Sequence, residues 1–284
     1  MNKNKVFAVL VCLYVLFPLY SQTEITDALG RKFVYKCAAQ RVVSLSPAVT
    51  EILFAVGAVV VGRTEYCNYP SAVSSVPVVG GFSGATVSVE QIAALKPDVV
   101  IVSADMHQRL IPLLEGLGIP AFTVEPRNFD EVYAVIGVLG RLTGREQDAA
   151  GVVQTMKTKI EQVQKRVRGK KAPSVFWELY DTPLMTCGGN TFVSEAIQKA
   201  GGRNIFEHEK TAWIEVSFEQ VLFLNPDWIL SGSDHSVTVT ANPLWKTVSA
   251  VKNNRIAAVD ADTVYRYGPR LADAVTALAR ILHP

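Results

Sequence analysis

The sequence predicts an α/β protein of two lobes joined by a single long helix. Three observations predict it. Short apolar runs alternate with helical stretches from Arg41 onward, a proline-free polar stretch with one apolar stripe interrupts them at residues 145–168, and one phrase recurs on either side of that stretch. The 284 residues, 49% hydrophobic and 19% charged, are ample for buried cores, and disorder is not expected.

Residues 1–21 stand outside this pattern. Lys3 and Lys5 precede an apolar run at residues 6–20, and Ser21 offers a small residue for cleavage, the layout of a secretory signal peptide. That run is shorter than the roughly 20 residues that span a bilayer as a helix. Cys12 lies inside it and not after a small-residue box, so lipid attachment there is not expected. Loss of the two leader lysines leaves the exported chain formally neutral, which gives no footprint for nucleic acid. Cys37, Cys67 and Cys187 remain, an odd set that permits at most one internal disulfide in an oxidising compartment.

The first lobe is read at residues 22–144. Strand-like "RVVSL", "VVVG", "PDVVIVS" and "PAFTV" alternate with helical "PAVTEILFAVGA", "QRLIPLLEGLG" and "NFDEVYAVIGVLGRL". Ser46 before Pro47 reads as a helix cap followed by a first-turn proline. The bridging helix is read at residues 145–169. Val152, Met156, Ile160, Val163 and Val167 recur at three and four, and Gly169 to Pro173 stops the helix. The second lobe, residues 170–284, repeats the alternation in "SVFWEL", "TFVSEAIQKAGG", "FEQVLFL", "DWILSG", "PLWKTVSAV", "RIAAVD" and a final helix after Pro269. No Gly/Ser-rich or Pro-rich linker separates the lobes, which predicts a stiff connection.

The recurring phrase is "SVEQIAALKPD" at Ser88 and "SFEQVLFLNPD" at Ser217, identical at six of eleven positions. Serine with Gln91 or Gln220 three residues on predicts a capping box, and proline ends each short helix before a buried strand. Capping accounts for Ser and Gln. Glu90 and Glu219 are only mildly favoured by the helix dipole, so two matched carboxylates at corresponding ends of two lobes suit a two-fold partner.

"RVVSLSPAVTEILFAVGAVVVGRTEYCNYP" followed by "VSVEQIAALKPDVVIVS" resembles the substrate-binding proteins of ABC importers for cobalamin, haem and iron-siderophore complexes, and is most similar to the cobalamin-binding branch. The resemblance covers nearly all of the exported chain. It implies two α/β lobes bridged by one helix, a ligand cleft between them, a monomer in the periplasm, and a permease dimer with ATPase subunits as partner; the stiff helix predicts only modest closure of that cleft. It also implies that Glu90 and Glu219 meet arginines on the two permease subunits. No cofactor other than the carried ligand is implied.

By the same resemblance Tyr66 and Trp213 fall on cleft aromatics, Phe82 stands where the cobalamin branch carries tryptophan, and Asp262 matches a cleft aspartate, with Tyr265 and Arg266 on its loop. Core packing is the other reading of each aromatic, and a local salt bridge that of Asp262 and Arg266. Tyr180 is placed in the cleft by its position after "SVFWEL". Ser103 departs from the branch, which has a tryptophan there. A haem reading needs an axial ligand from Tyr66, His107 or His208, and a siderophore reading needs cations such as Arg63, Arg127 and Arg266.

An enzyme, such as a secreted hydrolase, is the rival class. The sequence has no GxSxG, HExxH or Walker motif, and "SGSDHS" at residues 231–236 reads as a polar turn after a strand. His107, His208, His235 and His283 show no metal-binding spacing, so no bound metal ion is expected.

Overall fold

A computed structural model describes residues 23–35, 37–232 and 243–284. The leader with Cys12, and His235 in the polar turn, lie outside them. An antiparallel hairpin, β1 (Thr23–Thr26) and β2 (Lys32–Tyr35), comes first. The first lobe follows as β3 (Val42–Ser44), α1 (Pro47–Ala55), β4 (Val60–Arg63), α2 (Val89–Ala94), β5 (Val99–Ser103), α3 (Ala104–His107), α4 (Leu110–Gly116), β6 (Ala121–Val124) and α5 (Phe129–Thr143). Helix α6 (Glu146–Val167) leads to β7 (Ser174–Glu178), β8 (Tyr180–Asp181), β9 (Leu184–Cys187), α7 (Phe192–Lys199), β10 (Arg203–Asn204), β11 (Trp213–Glu215), α8 (Phe218–Leu224) and β12 (Trp228–Ser231). The chain ends with α9 (Ser249–Lys252), β13 (Ile256–Ala258), α10 (Ala261–Val264) and α11 (Leu271–Leu282).

The two main sheets share one topology. Strand order is β4-β3-β5-β6 in the first lobe and β10-β7-β12-β13 in the second, all parallel. The repeated phrase lies on α2 and the start of β5 in one lobe, and on α8 and the start of β12 in the other. Its Pro-Asp has a structural task beyond capping. Asp98 accepts from Gln40 N–H at 2.7 Å and Arg41 N–H at 2.9 Å, and Asp227 accepts from Ser174 N–H at 2.9 Å and Ser174 Oγ at 3.0 Å. Each aspartate thereby pins the start of its lobe's neighbouring strand, β3 or β7.

The capping box is complete at only one of the two copies. Ser217 Oγ accepts from Gln220 N–H at 3.2 Å, and Gln220 Oε1 accepts from Ser217 N–H at 2.8 Å. Ser88 Oγ accepts from Gln91 N–H, but the Ser88 amide already donates to Val79 O at 2.9 Å and leaves Gln91 nothing to satisfy. The residue before each proline is left-handed: Lys96 at φ 46° and Asn225 at φ 43°. Asparagine tolerates that region and lysine does not, at a cost of about 1 kcal/mol. Lys96→Gly is therefore expected to raise stability by about 1 kcal/mol in urea unfolding. A neutral or negative effect would show that the turn is not strained.

Helix α6 is about 33 Å long at 1.5 Å per residue. Its buried stripe is Ala149, Met156, Ile160, Val163 and Val167, with Val152 half-buried. Gly169, at φ 77°, follows its end. The stripe packs on α5 of the first lobe and α11 of the second. One continuous apolar cluster runs from Ile52 and Ile136 through Met156 and Ile160 to Trp177 and Leu278. The two lobes thus share a core along this helix.

Candidate functional site

Ligands of open parallel sheets collect beyond the carboxyl ends of the strands. In the first lobe those ends are Ser44, Arg63, Ser103 and Val124. Ser103 Oγ donates to Glu125 Oε2 at 2.8 Å, and Ala104 N–H donates to the same oxygen at 3.1 Å. The carboxyl end of β5 is therefore a small polar corner, with Met106 39% exposed just beyond it. Ser46 sits at the cap position of α1, but its hydroxyl does not cap. It lies 3.3 Å from Tyr267 Oη of the opposite lobe, a partly buried phenol that burial pushes up to about 12 and that takes this hydroxyl as its partner.

The sequence-predicted aromatics form two groups. Tyr66 and Phe82, 52% and 45% exposed, meet edge-to-face at 5.6 Å on the first lobe. On the second, Trp213 meets Tyr265 edge-to-face at 6.0 Å, and Tyr265 meets the buried Trp177 in the same way at 6.0 Å. Trp177 Nε1–H donates to Tyr265 Oη at 3.0 Å. Burial pushes the Tyr265 phenol up to about 12, against the opposing effect of the Trp177 bond, so it stays neutral. Tyr180 is 59% exposed on the short strand β8, an edge strand that pairs with β9, which pairs in turn with β11, in an antiparallel sheet at this rim. Tyr66, Phe82, Tyr180 and Trp213 are exposed, whereas Tyr265 is partly buried and packs against the core.

A polar network ties the two groups together. Asn68, two residues after Tyr66, donates to Asp262 Oδ2 at 3.2 Å and accepts from Arg266 at 2.7 Å. Arg266 also pairs with Asp262 at 2.7 Å and with Glu51 at 3.1 Å. Arg270 Nε and an amino nitrogen donate to both Glu51 oxygens, at 2.8 and 2.7 Å, and its guanidinium lies 4.2 Å from the Tyr69 ring centroid. Asp262 and Arg266 are thus paired with one another and across the cleft.

Glu51, Asn68, Arg270 and Tyr267 were not singled out from the sequence. One signal existed: Glu51 is the only charged residue in residues 42–61, and its side chain is 2% exposed. A carboxylate in such a stretch demands a cationic partner.

The other proposed ligand contacts separate on geometry. Arg63 donates to the carbonyls of Val73, Val76 and Thr64, so it holds a loop. Arg127 is exposed. His107 is buried with both ring nitrogens bonded, and His208 is exposed beside Glu209 at 3.4 Å. Cys37, Cys67 and Cys187 are free thiols, and burial pushes that of Cys187 up to about 12. Among the described residues no cluster of three or more His, Cys, Asp or Glu is arranged to hold a metal ion.

Glu90 and Glu219 occupy the second helical position of α2 and α8, both exposed. Ser88 N–H donates to Val79 O, and Val79 N–H to Arg63 O at the carboxyl end of β4, so Glu90 lies toward the strand-end rim of the first lobe; Glu219 holds the same position in the second copy of the phrase. Hydrogen bonding to its own backbone amide, then to the cap serine, holds each below the usual carboxylate range, so both are ionised at neutral pH.

The family model described as "Periplasmic binding protein" matches residues 42–263, from the first strand of one sheet to the short helix α10 beyond the last strand of the other. The chain belongs to the periplasmic binding protein family. A curated relative from Bacillus subtilis, an uncharacterized ABC transporter substrate-binding lipoprotein, is 33% identical over 92% of this chain and 85% of its own. The vitamin B12-binding protein of Yersinia pestis is 28% identical over 86% of each chain.

Among solved structures of the family, a possible iron-binding periplasmic protein from Staphylococcus epidermidis superposes with TM-score 0.79 at 27% identity, covering 87% of this chain and all of its own. The haem-binding protein BhuT, solved with two haems, gives TM-score 0.76 at 25% identity over 87% and 98%. As a member of this family the chain is a substrate-binding protein of an ABC importer, which works with a permease and an ATPase, and is not an enzyme. No helix among the described residues is long and apolar enough to cross a membrane.

Proposed function

We propose that the protein captures a corrinoid of the cobalamin type between its lobes in the periplasm and delivers it to a permease dimer, on which Glu90 and Glu219 dock. The presence of half-exposed aromatics on both lobes carries this reading: Tyr66 and Phe82 on one side, Trp213 and Tyr180 on the other, with the partly buried Tyr265 against Trp213. Ring faces suit a large, flat, partly apolar macrocycle, since they bury much area at little entropic cost. Ser103 and Glu125 in place of a tryptophan leave room and polarity for amide side chains of the ligand.

Charge supports a ligand that is not strongly anionic. Arg63 is bound to three carbonyls, and Arg266 to Glu51, Asp262 and Asn68, which leaves Arg127 alone of the three cations that a ferric siderophore would use. Haem is the second reading, favoured by one observation. Tyr66 stands half-exposed with a phenol that can serve as axial ligand, whereas His107 has both nitrogens engaged.

Isothermal titration with cyanocobalamin, haemin and a ferric siderophore separates these readings. Cyanocobalamin is expected to bind, and Trp213→Ala to weaken it ten- to hundredfold, about 1.5–3 kcal/mol for one lost aromatic face. Saturation by haemin with no heat from cyanocobalamin would replace the corrinoid reading with the haem one. Binding of all three unchanged in Trp213→Ala would remove the aromatic cleft itself.

A further inference from the structure

The segment of residues 80–87 brings Phe82 to the cleft, and two contacts fasten it to α3, the short helix after β5. Gly84 N–H donates to Met106 O at 3.1 Å, and the His107 ring meets Phe82 O at 3.2 Å. A Cβ added at Gly84 would stand 3.1 Å from that same Met106 oxygen, so the approach is close. His107 is 1% exposed.

Its partners fix its protonation. The Ser103 amide can only donate, so Nδ1, 3.1 Å away, presents a lone pair. The Phe82 carbonyl can only accept, so Nε2 carries the hydrogen. One neutral imidazole thus joins the end of β5 to the backbone of Phe82, and both of its bonds need that single tautomer.

We propose that His107, as a neutral imidazole, positions Phe82 in the ligand cleft, and that ligand capture therefore weakens on acidification. This inference rests on the reading that Phe82 contacts the ligand. A second proton on Nδ1 sets two donors face to face, Nδ1–H against Ser103 N–H, and the ring must leave one anchor.

The charged groups on the surrounding elements are Asp105 and Arg109 on its own turn, Glu65 on the Tyr66 loop, and Glu125 beyond β6. Glu125 is engaged with Ser103 Oγ and Ala104 N–H. Burial disfavours the imidazolium and lowers the pKa from the ordinary 6.5, while the bond to Phe82 O opposes that in part. The neutral contact is therefore complete above pH 6.5 and is lost as pH falls through the lower, folded-state value.

The test combines titration with hydrogen exchange on the intact protein. The probe is cyanocobalamin, or haemin if cyanocobalamin gives no heat. His107→Leu is expected to weaken the probe about tenfold at neutral pH, the effect of one buried hydrogen bond, and to speed amide exchange across residues 80–87. His107→Gln, which keeps a donor for Phe82 O, is expected to retain most of the affinity and to lose its acid decline. In a Phe82→Ala background His107→Leu should add little.

Unchanged exchange across residues 80–87 in His107→Leu would overturn the proposal, whether or not either probe binds. So would a full tenfold loss on top of Phe82→Ala, which would mark a merely structural role. If Phe82→Ala alone leaves affinity at the wild-type value, the placement of Phe82 against the ligand fails first and takes this inference with it. If Phe82→Ala weakens binding while His107→Leu does not, this inference fails alone.

Discussion

Glu51→Ala is expected to cost about 3 kcal/mol of folding stability, the loss typical of breaking a buried ion pair from one side. Glu51 is 2% exposed at its side chain, and its two arginine partners 15% and 16%. Removal of the carboxylate leaves two largely buried guanidiniums facing each other where one anion had balanced both. Arg270 keeps only a 3.8 Å contact to Asp260 and the Tyr69 ring, and Arg266 keeps Asp262 and Asn68. That partial compensation is why the expected loss stays near the lower end of the range.

The same change reaches function through geometry. Glu51 is on α1 of the first lobe, while Arg266 and Arg270 flank the start of α11 in the second, so the cluster helps to set the opening between the lobes. Wild-type protein should contract little in solution scattering when ligand is added, and Glu51→Ala should contract more. Glu51→Gln keeps the shape and some hydrogen bonds, and should fall between the two in urea unfolding. A loss under about 1 kcal/mol for Glu51→Ala would mean that water replaces the carboxylate and the cluster does not hold the lobes.

What could be read from the sequence was local or repeated. The stripe of α6 was legible because its period and its terminators sit within one stretch, and the structure ends that helix within two residues of the expected bounds. The two copies of the phrase marked equivalent strands, β5 and β12, before any sheet order was available. Contacts between lobes were not legible. Ser46 carries every local sign of a helix cap, yet its hydroxyl answers to Tyr267, 221 residues away. Arg266 reads as a ligand clamp or a local salt bridge with Asp262; the bridge forms, but its further partner Glu51, 215 positions earlier, could not be read.

The antiparallel β8-β9-β11 sheet was missed for a different reason. "SVFWELYDTPLMTC" looks like one strand and a loop, but the Asp181 to Leu184 turn folds the chain back, so Tyr180 lies on a separate edge and not at the end of β7.

Reversal of both matched glutamates, Glu90→Lys with Glu219→Lys, is expected to lower transport by on the order of a hundredfold in vesicles that hold the cognate permease and ATPase. Ligand affinity should stay within about twofold, because neither residue is placed at the cleft aromatics. The reason lies in how each carboxylate is held. A cap serine and the helix's own amides keep Glu90 and Glu219 charged and directed outward at equivalent points of two lobes with one topology. Exposed charges of this kind contribute little to folding, so unfolding midpoints should barely move and a loss of transport cannot be assigned to misfolding.

Single reversals carry the finer information. If the lobes engage equivalent permease subunits, Glu90→Lys and Glu219→Lys should each reduce transport by similar factors, about tenfold, and the double variant by about their product. A double variant no worse than either single one would mean that one lobe alone makes the contact. Transport at the wild-type rate in the double variant would leave the repeated glutamate as a remnant of duplication, with Pro-Asp as the part of the phrase that the fold still requires.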